Sequence, residues 1–264
     1  MELTLDKIQA YIDEIKLASS KAGEAIMDIY NQEDRGIESK SDESPLTKAD
    51  LAANKILCDV LRKISPDIPI ISEENDNLSY MDRAGWDYCW VVDPLDGTKE
   101  FIKRNGEFTT NVALVRGNES IAGVIYAPAL EEMYWGIIGD GAYSEIKGVV
   151  TDLKVKTFSK TDKGLKMVCS RSHLNDATKA FVDQYDEPEL VASGSSLKFM
   201  IIAKGEAHIY PRMAPTMEWD TCAAQAILEE AGGVVLQADS SDPVVYNKEN
   251  LLNPSFIAMG NQQD

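Results

Sequence analysis

Histidine is almost missing from this chain: His173 and His208 are its only copies in 264 residues. Zinc sites draw on closely spaced His and Cys ligands, and no such pairing occurs, so zinc chemistry is not expected. Cysteine is scarce too, at positions 58, 89, 169 and 222 with no C-x-x-C spacing, which predicts four reduced thiols rather than a disulfide frame. Basic residues run short as well. The chain has 26 Lys and Arg against 44 Asp and Glu, a formal charge of −18. Proteins that grip a nucleic acid polymer take most of their affinity from cations set on phosphates, so this balance argues against such a partner. No apolar run approaches the roughly 18 residues of a transmembrane segment, and the opening MELTLDKIQAYIDEIK carries acids where a secretory leader carries an apolar core. A cytoplasmic protein is expected. Oligomeric state and peripheral membrane attachment are left open by the sequence.

What remains is ample for a core, since 44% of the residues are hydrophobic. The length suits one domain over 1–264, with halves near 1–148 and 149–264. Leu5, Ile8, Ile12, Ile15, Ala18, Ala22, Ile26 and Ile29 recur at three- and four-residue steps, which predicts a helix over 4–31. A second helix is expected from Thr47 to Ile64, closed by Pro66. IPIIS (residues 68–72) and YCWVV (88–92) read as strands, the latter stopping at DPLDGT. FTTNVALV, SIAGVIYAP, EMYWGII and GAYSEI, between 108 and 146, alternate and break at Gly, Asn and Pro, which predicts antiparallel strands. The second half reads as shorter mixed elements: strands at 149–155, 166–170, 208–212 and 232–237, and helices near 175–185, from Gly194 and from Trp219. Helices in runs and strands in runs point to a layered α+β fold rather than strict βαβ winding.

The chemistry concentrates at Val91-Val92-Asp93-Pro94-Leu95-Asp96-Gly97-Thr98. A buried strand there delivers two carboxylates onto a turn, where Pro94 fixes φ and Gly97 lets the backbone bend and approach a ligand. Paired anionic oxygens suit a hard divalent cation such as Mg²⁺. Each supporting acid has an ordinary explanation when taken alone. Asp50 sits in TKAD, a capping-box pattern, and Asp220 falls at a helix start where the dipole favours its charge. Glu73 and Glu74 follow an apolar strand. The residues alone do not choose between those two glutamates.

Taken together, SEEN (Ser72–Asn75), DPLDGT and EWD (Glu218–Asp220) resemble the inositol monophosphatase superfamily of lithium-sensitive, Mg²⁺-dependent phosphomonoesterases. DPLDGTKEFIKRNGEFT (Asp93–Thr109), TKADLAAN (Thr47–Asn54), YAP (Tyr126–Pro128), SRSH (Ser170–His173), GSSLKF (Gly194–Phe199) and YPRMAPTMEWDT (Tyr210–Thr221) are similar to its CysQ-type 3′(2′),5′-bisphosphate nucleotidase branch. The resemblance implies a layered α-β-α-β-α sandwich and two or three Mg²⁺ ions per site. It implies that Glu73, Asp93 and the carbonyl of Leu95 hold one ion, and that Asp93, Asp96 and Asp220 hold the next. Of the two glutamates it selects Glu73. It assigns activation of a metal-held water to Glu73 and to Thr98 oriented by Asp50, and the phosphate to Leu95, Asp96, Gly97, Thr98 and Asp220. For the rest of a nucleotide bisphosphate the candidates are Arg171, His173, Gly194, Ser195, Ser196, Lys198 and Arg212, with Tyr210 or Met213 as a surface for the base. Lys99, Lys103 and Arg104 read as surface charge, and His208 as structural. The implied reaction is hydrolysis of 3′-phosphoadenosine 5′-phosphate to AMP and phosphate, inhibited by lithium and calcium. Alternatives are an inositol monophosphatase or sugar (bis)phosphatase of the same fold, and a metal- or nucleotide-binding protein without catalysis. One departure is local: the branch's T-A-A-G after the WD pair is Thr221-Cys222-Ala223-Ala224 here, for which slight repacking is expected.

Overall fold

The computed structural model describes residues 2–34, 36, 38–39, 45–75, 79–170 and 175–263. Thr4 caps the first helix, α1 (Leu5–Tyr30), by accepting the Lys7 N–H at 3.4 Å, and the foreseen stripe from Ile8 to Ile26 is buried. A short antiparallel ladder pairs β1 (Glu38–Ser39) with β2 (Pro45–Leu46). α2 (Lys48–Ile64) follows and packs on α1.

The first sheet runs in chain order: β3 (Ile70–Ser72), β4 (Tyr88–Asp96), β5 (Thr109–Arg116), β6 (Glu119–Ala127), β7 (Glu132–Ile137), β8 (Gly141–Ile146) and β9 (Val149–Asp152). β3 lies parallel to β4, and every later pair is antiparallel. Two short helices, α3 (Tyr80–Arg83) and α4 (Thr98–Lys103), flank β4 in sequence. Further on, β10 (Thr157–Ser159) pairs in parallel with β16 (Asn261–Gln263). A second sheet has the order β12-β11-β13-β15-β14, from β11 (Lys166–Ser170), β12 (Glu189–Ser193), β13 (Ile209–Arg212), β14 (Val234–Gln237) and β15 (Phe256–Met259). The remaining helices are α5 (Asp176–Val182), α6 (Leu197–Ala203) and α7 (Glu218–Glu230).

Strand parity sorts the layers. On β4 and β5, Trp90, Val92, Val112 and Leu114 face the core shared with α1 and α2, whereas Cys89, Val91, Ala113 and Val115 face the core shared with α6 and α7. α7 packs on β5, β6 and β7 as well as on β14, and α5 packs on β13. The order is therefore α1/α2, first sheet, α6/α7, second sheet, α5, the α+β sandwich that the sequence implied. Asp93 shares the parity of Val91 and so points toward α7.

α7 sits unusually close to the first sheet because Gly123 and Gly136 lie beneath it. A Cβ on Gly123 would stand 2.3 Å from the Ala223 carbonyl oxygen, and one on Gly136 would stand 3.0 Å from the Ile227 Cα. Cys222, Ala223 and Ala224 are buried on this helix, and their small side chains permit the same approach.

Two expectations needed correction. β4 does not stop at Val92 but pairs on to Asp96, because a register shift between Asp93 and Asp96 absorbs Pro94, which has no N–H to give. The short strands β1, β2, β10 and β12 were not foreseen, nor were β15 and β16 beyond the strand ending at Gln237. Among the described residues, no helix is long and apolar enough to cross a membrane.

Candidate active site

The β4–β5 ladder sets Asp93 opposite Asn111 and Asp96 opposite Thr109. Between the two acids the chain turns: the Leu95 N–H donates to Asp93 Oδ1 at 3.0 Å, and Gly97 takes φ 91° before α4 begins. A side chain at Gly97 would be strained by that φ and would meet the Glu107 carbonyl oxygen at 3.0 Å. Beneath α4, Phe101 and Phe108 pack with Tyr30 at ring separations of 5.0–5.3 Å, which anchors the turn on α1. The Thr98 hydroxyl lies 3.3 Å from both Asp50 Oδ1 and the Leu95 carbonyl oxygen.

Asp50 does two jobs. Its Oδ2 closes the capping box of α2 by accepting the Thr47 N–H at 2.7 Å and hydroxyl at 2.6 Å, which leaves Oδ1 toward Thr98. Asp220 likewise accepts the Met217 N–H at 2.8 Å in the first turn of α7. The helix-start explanation is therefore correct for both acids and incomplete for both. The turn carrying Glu73 is tied to α2, where Asn54 Oδ1 accepts from Ser72 Oγ at 2.8 Å and Asn54 Nδ2 donates to Asn75 Oδ1 at 2.9 Å.

Strand and helix converge here. One carboxylate oxygen each from Asp93, Asp96 and Asp220 lies within 4.8 Å of the others, and Glu73, Leu95 and Thr98 line the same cavity of about 270 Å³. Glu73 stands outside the tight trio, yet its charge is felt there. Asp93 is held well above the usual carboxylate range, first by burial and then by the charges of Glu73, Asp96 and Asp220. Burial, followed by the charge of Asp96, pushes Asp220 up to about 7. Burial also raises Asp50. So many acids in one poorly hydrated place are unfavourable without a counter-charge, and an all-oxygen donor set suits a hard divalent cation. The residues present fit such an ion.

A second cavity of about 470 Å³ opens on the other side of Gly97 and Asp220, and Lys99 and Lys103 reach its rim. Its inner wall carries two cations. Lys198 is buried and donates to the Ser195 carbonyl oxygen at 2.6 Å, with its ammonium 5.5 Å from the centre of the Tyr210 ring; burial lowers its pKa. Arg212 donates through Nη2 to the Pro215 carbonyl oxygen at 3.1 Å, and its buried Nε has no acceptor among the described residues. A buried guanidinium N–H without an acceptor is costly, and an anion bound beside it would offset that cost.

Ser195 and Ser196 turn away from simple helix capping. Ser196 makes no capping bond to α6; its hydroxyl and N–H reach Asp96 Oδ2 at 2.7 and 2.6 Å, and the Ser195 hydroxyl joins them at 2.7 Å. Gly194 is needed for this approach, because a Cβ there would stand 2.8 Å from Glu100 Cγ. Arg171 and His173 lie outside the described residues. His208 is structural, as expected: Nδ1 accepts the Lys166 N–H at 2.9 Å and the ring meets Phe158 edge-on. The sequence reading missed Thr109 and Asn111, which hydrogen-bond with the two serines. The signal was available, since three buried polar residues in a row, Thr109-Thr110-Asn111, open a strand that continues as the apolar, buried run Val112–Val115.

Known proteins resemble this chain over nearly its whole length. The profile of the Inositol monophosphatase family matches residues 7–263. A 3′(2′),5′-bisphosphate nucleotidase CysQ from Escherichia coli O6:H1 is 42% identical over 247 residues, covering 93% of this chain and 98% of the relative. The protein of that name from Haemophilus influenzae is 32% identical, covering 95% and 93%. Among solved structures, CysQ from Bacteroides thetaiotaomicron, described as a bacterial member of the inositol monophosphatase family, superposes with a TM-score of 0.79 at 42% identity, covering 93% of this chain and 95% of its own. An inositol monophosphatase from Anabaena shares the fold at a TM-score of 0.73 and 23% identity, covering 97% of this chain and 92% of its own.

Proposed function

The chain belongs to the inositol monophosphatase family, and on that premise we propose that it is a Mg²⁺-dependent 3′(2′),5′-bisphosphate nucleotidase. Water cleaves the 3′-phosphate of 3′-phosphoadenosine 5′-phosphate, leaving AMP and inorganic phosphate. The observation that carries the reading is the adjacency of two unlike cavities. A well of converging carboxylates adjoins a pocket whose buried Lys198 and half-buried Arg212 have no carboxylate partner among the described residues. A substrate with two phosphates uses both.

In this reading Asp93, Asp96, Asp220, Glu73 and the Leu95 carbonyl hold two or three Mg²⁺ ions. When bound, the ions acidify water, polarise the ester and stabilise the leaving oxygen. Glu73 accepts the proton of the attacking water, while Asp50 keeps Thr98 oriented toward it. The Gly97 and Thr98 N–H groups donate to the scissile phosphate. Lys198, Arg212 and the Gly194–Ser196 loop hold the 5′-phosphate and nucleoside, with Tyr210 beside the base. Arg171 and His173 remain candidates for the same phosphate on the resemblance alone. The halves near 1–148 and 149–264 act as one domain, since Asp220 of the second completes the acids of the first. The four buried free thiols suit a cytoplasmic enzyme.

The test is a substrate panel with purified protein. Phosphate release from 3′-phosphoadenosine 5′-phosphate should far exceed release from inositol monophosphate, require Mg²⁺, and fall with lithium or calcium. The reverse preference assigns the site to inositol or sugar phosphates. Arg212→Ala should lower the ratio of kcat/KM for the bisphosphate over that for 3′-AMP about tenfold or more, because a charge-assisted contact to the 5′-phosphate is lost. An unchanged ratio removes Arg212 from the subsite.

Proton linkage gives a further expected result. With Asp220 raised to about 7, cation binding must displace a proton at lower pH, so the Mg²⁺ half-saturation should rise by up to about tenfold per unit below pH 7. In the metal-free protein the sign is fixed by the same shift. Protonated Asp220 contributes stability that is fully present below the unfolded-state value of 3.8 and lost as the pH climbs through about 7. The gap between melting temperatures in Mg²⁺ and in chelator should therefore widen from pH 6 to pH 8. A constant gap would contradict it.

A further inference from the structure

We propose that Asn111 is a positioning residue that fastens the Asp96 carboxylate to the Gly194–Ser196 loop, so that cation binding and nucleotide binding strengthen each other. The proposal rests on the function argued above and concerns how its two cavities communicate.

Asp96 divides its oxygens between them. Oδ2 accepts the Ser195 hydroxyl, the Ser196 N–H and the Ser196 hydroxyl at 2.6–2.7 Å, whereas Oδ1 accepts no hydrogen bond among the described residues and remains for a cation. Asn111 sits behind this arrangement, buried on β5 and lining neither cavity. Its Nδ2 donates to Ser196 Oγ at 2.7 Å and stands 3.5 Å from Asp96 Oδ2. That donor occupies a lone pair of the serine oxygen and so turns the hydroxyl proton toward the carboxylate. Thr109 Oγ1 stands 2.9 Å from Asn111 Oδ1 and 2.6 Å from Ser195 Oγ, and with the Ser195 proton given to Asp96 Oδ2 its own single proton serves one of those two at a time. Asn111 thus holds Ser196 directly, and Thr109, on the same face of the strand, packs against Ser195.

The loop faces the other cavity through its backbone. The Ser195 carbonyl accepts from Lys198 Nζ at 2.6 Å, and Ser195 itself holds φ 51°, a conformation that persists only when its surroundings enforce it. Ser196 Oγ is also 3.1 Å from the Asp220 carbonyl oxygen, so one hydroxyl touches two of the residues whose carboxylates converge. An anion on Lys198 fixes the loop, the loop fixes Asp96, and a pre-set Asp96 binds the cation with less ordering left to do. By linkage the effect runs equally in the other direction. Removing the Asn111 amide frees the Ser196 rotor and uncouples the two sites, while leaving each set of direct contacts in place.

Calorimetric titration tests this without turnover, using AMP with and without Mg²⁺, and Mg²⁺ with and without AMP. In the unmodified protein each ligand should tighten the other by the same factor, about fivefold or more. In Asn111→Ala that factor should fall toward one. Ser196→Ala should reproduce the loss, and the double variant should be no worse than either single, as expected for residues acting in series. Asn111→Leu, with the same branched skeleton and no donor, serves if the alanine variant does not fold. A coupling factor that survives in a folded Asn111 variant, or that is already one in an unmodified protein active on the bisphosphate, overturns the inference. Failure of the unmodified protein to hydrolyse any nucleoside bisphosphate overturns instead the function on which it rests.

Discussion

Asp93→Asn is expected to lower kcat/KM on the order of 10³-fold or more while leaving a folded protein that melts, in chelator, no lower than the unmodified one. The two halves of that result have one cause. Asp93 is 1% exposed and faces the charges of Glu73, Asp96 and Asp220, so in the metal-free chain its ionised form is penalised by burial and by its neighbours. Asparagine keeps an oxygen for the Leu95 N–H at nearly the same volume and removes the charge. The fold loses nothing and a repulsion disappears. On the proposed function catalysis loses a shared anionic ligand, and metal ions supply several kcal/mol of transition-state stabilisation at about 1.4 kcal/mol per tenfold in rate. The melting increment caused by Mg²⁺ should shrink in parallel. Steady-state kinetics and melting curves with and without Mg²⁺ decide it. Retained activity, or a steep drop in the chelator melt, would show that Asp93 is structural.

Gly123→Ala should be the most damaging single methyl in the protein. The added Cβ would lie 2.3 Å from the Ala223 carbonyl oxygen and 2.8 Å from its Cα, both backbone atoms of α7 that no rotamer change can move aside. Overpacking of this kind costs about 3 kcal/mol or more, which for a chain of this size corresponds to a fall of roughly 6–12 °C in Tm. The helix can relieve the clash only by lifting off the sheet, and it carries Asp220 in its first turn. Mg²⁺ binding should therefore weaken along with stability. Gly85→Ala is the control, because nothing lies within 4 Å of its Cβ position and its φ is ordinary. Equal melting temperatures for the two variants would refute the close approach of α7.

The long helices were legible because Ile8 to Ile26 and Leu57 to Leu61 repeat with the helical period and face one core. The paired carboxylates were legible because Pro94 and Gly97 frame them on a turn. Whether Asp220 meets Asp93 was not a local property: it depends on strand parity and on two bare glycines remote in sequence from Asp220. β15 escaped notice because Phe256-Ile257-Ala258-Met259 is too short to show a period, and its pairing with β13 and β14 is tertiary. Lys198 read equally well as a solvated cation, and only the stacking of two layers buries it. Asn111 was hidden inside a strand assigned by its apolar neighbours, although a buried amide always demands partners.

The way α7 is seated has one more outcome. Asp93 and Asp96 leave the ribosome together on β4, whereas Asp220 follows near the far end of the chain, on a helix that must settle over Gly123 and Gly136 before its carboxylate is in place. A nascent or proteolytically shortened polypeptide that ends before Asp220 holds an unfinished cluster. On the proposed function such a chain would neither capture the cation fully nor consume nucleotide, and competence would wait until the last layers close.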